Sequence, residues 1–368
     1  MSNHNYTYYG SKSSATEVET FISHVIKVNE NAIEEGRKRI PLCIWGRHGI
    51  GKTELIETFA RNNGYAFRYI APAQFEEMGD LLGMPRVEGD KSVFVAPEWV
   101  PREDVPGILL IDDVNRADDR ILRGIMQLLQ NYELISWQLP PKWNIILTAN
   151  PDGGDYSVTP MDDAMITRMM HISMKFEVKA WAKWAAENGV DSRGISFVLT
   201  YPEAVTGNRT TPRTLVQFFE SIKDIEDLSA DLALVQMLAD ASLDANTAAS
   251  FIAFIRESLQ EMIEPVQILE ATDFRNEVHK VIAEIVQQEM LRVDVLSVIC
   301  TRLINHITMK DLKLLPREIK NVQSFILMDF LPNDLRLAML QDIVAAQKPG
   351  LQRVLADPQI GRILLEKM

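Results

Sequence analysis

The chain has 368 residues but only two cysteines, Cys43 and Cys300. Two widely separated thiols make neither a disulfide framework nor a metal cluster. Cys43 lies inside an apolar run, where a buried thiol is the ordinary outcome. No apolar run approaches the roughly 20 residues that a membrane-spanning helix needs, so no membrane insertion is expected. The start, Met1 to Thr16, is polar with Tyr6, Tyr8 and Tyr9, and lacks the basic and apolar blocks of a secretory signal. It reads as a flexible tail on a cytoplasmic protein. Positive charge is also short: the net charge is −13. That balance argues against a protein that coats nucleic acid, while leaving room for a local basic channel. No internal repeat or low-complexity block is visible. A hydrophobic content of 46% is ample for packed cores, and the length fits two or three domains.

The most informative segment is Gly46-Arg47-His48-Gly49-Ile50-Gly51-Lys52-Thr53. It follows the apolar run Ile40-Pro41-Leu42-Cys43-Ile44-Trp45 and precedes a helical pattern beginning Glu54-Leu55-Ile56. A Gly-rich turn between strand and helix is often mere punctuation. Here Lys-Thr stands in register, and the whole reads as a phosphate-binding loop. Its glycines let successive backbone N–H groups point inward at phosphate oxygens, and the new helix adds its positive dipole end. Lys52 would supply a cation to the β- and γ-phosphates, and Thr53 a hydroxyl to Mg²⁺. The expected ligands are therefore ATP and Mg²⁺, with Gly46 through Glu54 forming the nucleotide cradle.

A second run, Gly107-Ile108-Leu109-Leu110-Ile111, ends in Asp112-Asp113. Unbroken apolar residues read as a strand buried on both faces, as in a parallel sheet. Carboxylates at its end sit where open α/β sheets bind ligands. Asp112 would hold hydrated Mg²⁺, and Asp113 would orient or deprotonate the attacking water. Alone, such an ending could equally be an Asp helix cap; beside the phosphate loop it gains weight. A third run, Asn144-Ile145-Ile146-Leu147-Thr148-Ala149, ends in Asn150-Pro151. Asn150 could simply turn the chain, or its amide could hold the attacking water. Farther on, Met161 to Met169 reads as a short helix with an acidic start and Arg168 near its end. Arginine is favoured there by the helix dipole alone; the alternative is a finger stabilising transition-state charge from a neighbouring subunit.

Helical spacing of Val18, Phe21, Ile22, Val25, Ile26 and Ile33 predicts a helix from Thr16 to Gly36, closed by that glycine. Strands are expected at Ala66–Ile70, Ser92–Ala96, Gly107–Ile111, Asn144–Ala149 and His171–Phe176, with a helix over Asp118–Gln130. Alternating strand and helix implies an α/β domain with a mainly parallel sheet, placed at residues 17–177. From about Val178 the texture is helix after helix. We divide it into 178–272 and a further helical region, 273–368, at the acidic stretch Glu270–Asp273. Pro316, Pro332 and Pro349 act as breakers in the latter.

Together these motifs resemble the AAA+ ATPases, and within them the MoxR-type branch. Leu110-Ile111-Asp112-Asp113-Val114-Asn115-Arg116-Ala117 looks like that branch's Walker B signature. Ala149-Asn150-Pro151 matches its sensor 1, and the helix from Asp162 to Arg168 its finger position. Thr211-Pro212-Arg213-Thr214 resembles sensor 2, which implies that Arg213 reaches the γ-phosphate. Tyr132–Trp143, turning at Pro140-Pro141, falls where such proteins carry a hairpin before sensor 1. Asp80-Leu81-Leu82-Gly83-Met84-Pro85 falls at their helix 2 insertion. The resemblance spans about residues 35–220. It implies a P-loop AAA+ core followed by an all-α lid and the C-terminal helical region. It implies, too, a ring oligomer, usually a hexamer, with ATP at each junction. A chaperone-like remodelling of a protein client follows, often beside a partner bearing a von Willebrand factor A domain. Two positions depart from the pattern: the family's catalytic Glu is Asp113 here, and the usual Phe after the finger is Met169.

Other residues have plainer readings. His48 reads as a solvent-facing loop residue. Arg120 and Arg123 compete with Arg168 for the finger role or make ordinary helix ion pairs, and Arg116 could face a subunit junction. The methionines Met161, Met165, Met169, Met170 and Met174 suit core packing or an adaptable groove. Trp181 and Trp184 suit a helical core, and Arg37-Lys38-Arg39 a solvated helix end. Three functions fit: a remodelling ATPase, a nucleotide-gated scaffold that hydrolyses little because of Asp113, and a nucleic-acid motor or loader. The acidic balance disfavours the last.

Overall fold

The computed structural model describes residues 9–151, 158–207, 209–256, 262–286, 291–308, 313–348 and 350–365. The chain separates into two compact units, Met1–Phe176 and Glu177–Met368.

The first unit is built on a six-stranded, all-parallel sheet in the order β1-β10-β2-β9-β6-β3. Its strands are β1 (Lys12–Ser13), β2 (Leu42–Trp45), β3 (Ala66–Ile70), β6 (Gly107–Ile111), β9 (Trp143–Ala149) and β10 (Met170–Met174). Two antiparallel ribbons stand apart from it: β4 (Met84–Glu88) with β5 (Lys91–Val95), and β7 (Glu133–Leu134) with β8 (Trp137–Gln138). The helices are α1 (Ala15–Glu34), α2 (Lys52–Asn62), α3 (Met78–Leu82), α4 (Asp119–Asn131) and α5 (Asp163–Ile166).

The apolar runs divide their residues between the two faces of the sheet. Leu42, Ile44, Ile108, Leu110 and Ile146 pack with Val18, Ile22, Val25 and Ile26 of α1 and with Ile56, Phe59 and Ala60 of α2. The alternate residues Cys43, Trp45, Leu109, Ile111, Ile145 and Leu147 meet Ile121, Leu122, Ile125 and Leu128 of α4. Each fully buried side chain of this kind stabilises the fold by about 1.5–3 kcal/mol. Burial pushes the Cys43 thiol far above its ordinary range and the Cys300 thiol up to about 12, so both are inert packing groups.

Local chemistry sets the helix ends. Ser14 and Glu17 form a reciprocal capping box at the start of α1. At its other end Gly36 takes φ +68°, while Arg37 N–H donates to the Ala32 carbonyl at 2.7 Å. That is the left-handed glycine stop the sequence predicts, with the helix shifted by one or two residues. Asp118 caps α4 by accepting from Ile121 N–H at 2.9 Å, and this bond holds its carboxyl below the usual range.

Several expectations need correction. The segment at Ser92–Ala96 is a strand, Lys91–Val95, yet it pairs only locally with β4, since both strands are largely exposed. The second hairpin does not turn at Pro140-Pro141. It turns at Ile135-Ser136, and the prolines come after it, where Trp143 N–H donates to the Pro140 carbonyl. Arg39 is no solvated helix end. Its guanidinium donates to the carbonyls of Pro140, Pro141 and Trp143 and lies 3.8 Å above the Tyr132 ring. Of the expected tail, residues 1–8 lie outside the described residues. Lys12–Ser13 pair with Ser173 and Met174 of β10, because the backbone there extends alongside that strand.

The second unit is helical. It opens with α6 (Val178–Glu187), α7 (Ser192–Thr200), α8 (Pro212–Ile222), α9 (Leu232–Ser242) and α10 (Ala245–Arg256), and continues to Pro358–Leu365. Phe197, Phe218, Phe219, Phe251 and Phe254 form an aromatic core, with Phe218 and Phe251 edge to face at 4.8 Å. Trp181 joins it through Phe219, whereas Trp184 is half-buried. Pro316 opens a helix and Pro332 precedes one, as breakers should; Pro349 lies outside the described residues.

Candidate functional site

Parallel strands deliver their carboxyl ends to one edge, and there the loops after β2, β6 and β9 converge. Trp45 pairs with Ala149, and Ile111 with Leu147, so the residues that follow each strand become neighbours. Gly46 leaves β2 with its N–H donating to the Ala149 carbonyl at 3.2 Å. The loop then turns through Gly49 at φ +71° and Gly51 at φ +93°, conformations that glycine adopts freely. At Gly46 a Cβ would meet Ile50 Cδ1 at 2.6 Å and the Met174 carbonyl at 3.1 Å, so a side chain there would crowd the loop. Arg47, His48 and Ile50 are half-buried along the loop, and Glu54 is exposed on the first turn of α2.

Lys52 is only 6% exposed. Its ammonium donates to the Gly46 carbonyl at 2.7 Å, the Arg47 carbonyl at 3.1 Å and Asn150 Oδ1 at 3.2 Å. A buried cation folded onto loop carbonyls is a group poised to meet an anion. One residue on, Thr53 Oγ1 donates to Asp112 Oδ1 at 2.9 Å. The pairing of a hydroxyl with a carboxylate offers the hard oxygen donors that suit Mg²⁺, which takes few protein ligands and completes its shell with phosphates and water. Among the described residues no cluster of three or more His, Cys, Asp or Glu could hold a metal by itself.

Asp113 has φ +46° and ψ +44°, a left-handed conformation costing a non-glycine residue about 1–2 kcal/mol. The turn is held by Asp113 N–H donating to Thr148 Oγ1 at 2.8 Å, and by Arg116 N–H donating to the Asp113 carbonyl at 2.9 Å. It sends the two neighbouring carboxylates to different partners. Asp112 faces Thr53, while Asp113 Oδ1 accepts from Asn150 Nδ2 at 3.0 Å and Oδ2 lies 3.3 Å from Arg116 Nε. Asn150 is fully buried, and it is locked from behind by Asn115, whose side chain donates to the Asn150 carbonyl and accepts its N–H. Lys52, Thr53, Asp112, Asp113 and Asn150 are thus one connected cluster.

The other two candidates are placed elsewhere. Arg168 precedes β10, whose first residue Met170 pairs with Leu42, so it stands at the sheet edge opposite the phosphate loop. It is half-buried, with Nε donating to Gln130 Oε1 at 3.4 Å and a terminal nitrogen donating to the Ala164 carbonyl. Arg213 belongs to the second unit, exposed on the first turn of α8, where Thr211 and Thr214 form the capping box. Arg120 and Arg123 make exposed ion pairs with Asp118 and Asp119, the plainer of their two readings.

Two members of the site escaped the sequence reading. Thr148, fully buried, donates to Asp112 Oδ1 at 2.6 Å while accepting from Asp113 N–H, so one hydroxyl ties the first carboxylate to the turn that carries the second. Its signal was a hydroxyl within the otherwise apolar stretch from Ile145 to Ala149. Tyr69 carried no local signal, because its partner, Asp112, lies 43 residues onward.

Comparison with known proteins agrees with this geometry. Residues 41–169 match the family model of the AAA domain, dynein-related subfamily. Among solved structures, the chain is similar to a point mutant of Thermotoga maritima RuvB at 14% identity, covering 77% of this chain and 80% of that one, with a TM-score of 0.38. The Thermotoga maritima RuvB Holliday junction branch migration motor gives 14% identity, 76% and 80% coverage, and a TM-score of 0.36. A further mutant of that protein gives 14% identity, 82% and 90% coverage, and 0.38. Likeness that loose carries no weight for function. No curated protein matches the chain. With its parallel sheet, its phosphate loop and the match over 41–169, the first unit has the P-loop AAA+ fold, and a long run of helices follows it.

Proposed function

We propose that the protein is a Mg²⁺-dependent ATPase of the MoxR type, working as a ring oligomer that remodels a protein client. The observation that carries this reading is the connected cluster of Lys52, Thr53, Asp112, Asp113 and Asn150 at the carboxyl edge of the sheet. In it, the loop N–H groups and Lys52 bind the triphosphate. Thr53 and Asp112 would hold Mg²⁺, whose charge offsets that of the phosphates. Asp113 accepts a proton from the attacking water, and the Asn150 amide orients that water toward the γ-phosphate. Arg168, on the far edge of its own sheet, acts on the nucleotide of the neighbouring subunit, and Arg213 is assigned to the γ-phosphate. A protein client, rather than nucleic acid, fits the net charge of −13. A partner bearing a von Willebrand factor A domain, a hexameric ring and a cytoplasmic location belong to the same proposal.

The test is ATP turnover per subunit across a wide range of protein concentration. Specific activity that climbs with concentration is the expected result, because each site needs its neighbour's arginine. Turnover that is substantial and independent of concentration would defeat the ring reading.

One observation favours a second reading, a nucleotide-gated scaffold with weak hydrolysis. Asp113 is one methylene shorter than glutamate, and both of its oxygens are engaged, by Asn150 and Arg116. A retreat of about 1 Å from the water can cost on the order of a hundredfold in rate. A large gain in turnover for Asp113→Glu would support the scaffold, and no gain the motor.

A further inference from the structure

Tyr69 is 47% exposed, yet its hydroxyl is directed at a carboxylate rather than left to solvent. It lies on β3, the strand that closes the sheet on one side, in register with Leu110 and therefore just short of the edge where Asp112 begins. Its hydroxyl donates to Asp112 Oδ2 at 3.2 Å. The other oxygen, Oδ1, takes the hydroxyls of Thr53 and Thr148 at 2.9 and 2.6 Å. Three hydroxyls therefore converge on one carboxylate, and they are not alike. Thr148 is fully buried in β9, and Thr53 is anchored on the first turn of α2. Tyr69 stands on the border strand with its ring half-exposed.

We propose that Tyr69 is a positioning residue for the metal-binding carboxylate: it holds Asp112 in place before nucleotide arrives and competes with hydrated Mg²⁺ for Oδ2. The inference rests on the reading of the cluster as a Mg²⁺–nucleotide site. Mg²⁺ gives up its water reluctantly, so a carboxylate supporting it accepts hydrogen bonds from metal-bound water. An oxygen already receiving a phenolic O–H must give up or share that bond. Oδ2 is the oxygen that can do so cheaply, because its donor is half-exposed and regains water when displaced. The tyrosine thus sets how much Mg²⁺ adds to nucleotide affinity.

The experiment measures dissociation constants of a non-hydrolysable ATP analogue, with Mg²⁺ and with EDTA, for the wild type and for Tyr69→Phe. Removing the competing hydroxyl should raise the affinity gain due to Mg²⁺ by about two- to tenfold, the range of one net hydrogen bond, and leave the EDTA value unchanged. Tyr69→Leu should move the gain in the same direction, which guards against an effect peculiar to the phenylalanine ring. A purely structural role would lower the melting temperature of both variants without altering the Mg²⁺ gain. An unchanged or diminished gain would overturn the assignment while leaving the nucleotide site intact. A wild-type protein whose nucleotide affinity ignores Mg²⁺ would bring down the site reading, and the tyrosine assignment with it.

Discussion

Asn150 Nδ2 donates to Asp113 Oδ1 at 3.0 Å, joining the ends of two strands that are neighbours in the sheet but 37 residues apart in the chain. The same asparagine accepts from Lys52 through its Oδ1. One amide thus spans the cation proposed to bind phosphate and the carboxylate proposed to activate water. Its orientation is fixed by that pair of contacts and by the Asn115 clasp behind it.

Replacing Asn150 with alanine should therefore separate binding from chemistry. Nucleotide affinity should change little, while turnover should fall by about a hundredfold or more as the water loses its alignment. Equilibrium binding and steady-state turnover on the same preparation check this. Equal losses in both would mean that Asn150 serves the phosphate loop instead.

Arg168 offers a test by mixing. Arg168→Ala should bind nucleotide normally and lose on the order of a thousandfold in turnover. Lys52→Ala should not bind nucleotide at all. An equimolar mixture should regain activity, because a subunit with an intact loop then sits beside one with an intact arginine. A mixture as inactive as its parts would exclude the trans role.

Thr148→Val keeps the shape of the side chain and deletes a hydroxyl that serves two partners. It leaves Asp113 N–H without its acceptor in a strained turn, at a cost of about 1–3 kcal/mol. Denaturant unfolding should show that loss, and turnover should fall with it, since the Asp112 carboxylate and the backbone turn at Asp113 lose their shared anchor. Wild-type stability in the variant would show that the turn is held by its backbone bond alone.

In the helical unit, His306 supplies a pH signature. Burial lowers its pKa from 6.5, and the nearby Glu264 and Glu318 carboxylates counter this only in part. A histidine whose folded pKa is depressed binds fewer protons in the native state than in the unfolded one just below pH 6.5. Its contribution to stability is complete above that pH and is lost as the pH falls through the folded value. Stability measured between about pH 7.5 and 5 should decline, and His306→Asn should flatten the decline. An unaltered slope would assign the acid sensitivity to other groups.

Much of the α/β unit could be read from local pattern. Runs such as Gly107–Ile111 announce themselves because a strand covered on both faces has no polar positions to interrupt it. The phosphate loop is equally legible, since its chemistry is consecutive: glycines for the turn, then Lys52 and Thr53 at the helix start. Gly36 marked the end of α1 because only the backbone, not a distant contact, decides a left-handed stop.

Partners distant in sequence were not legible. Nothing in Ser92–Ala96 says that its strand joins a neighbouring ribbon instead of the main sheet, for strand propensity does not name the edge a strand will find. Arg39 looked like surface charge until three carbonyls and the Tyr132 ring closed around it. By itself the sequence determined the parallel sheet, the phosphate loop and the carboxylates and amide at its rim, because each depends on residues adjacent in the chain. Only the tertiary structure decided that Thr148 and Tyr69 attend Asp112, and that Arg168 stands on the edge facing away from its own phosphate loop. Those relations depend on strand order and register, and burial across the whole sheet settles both.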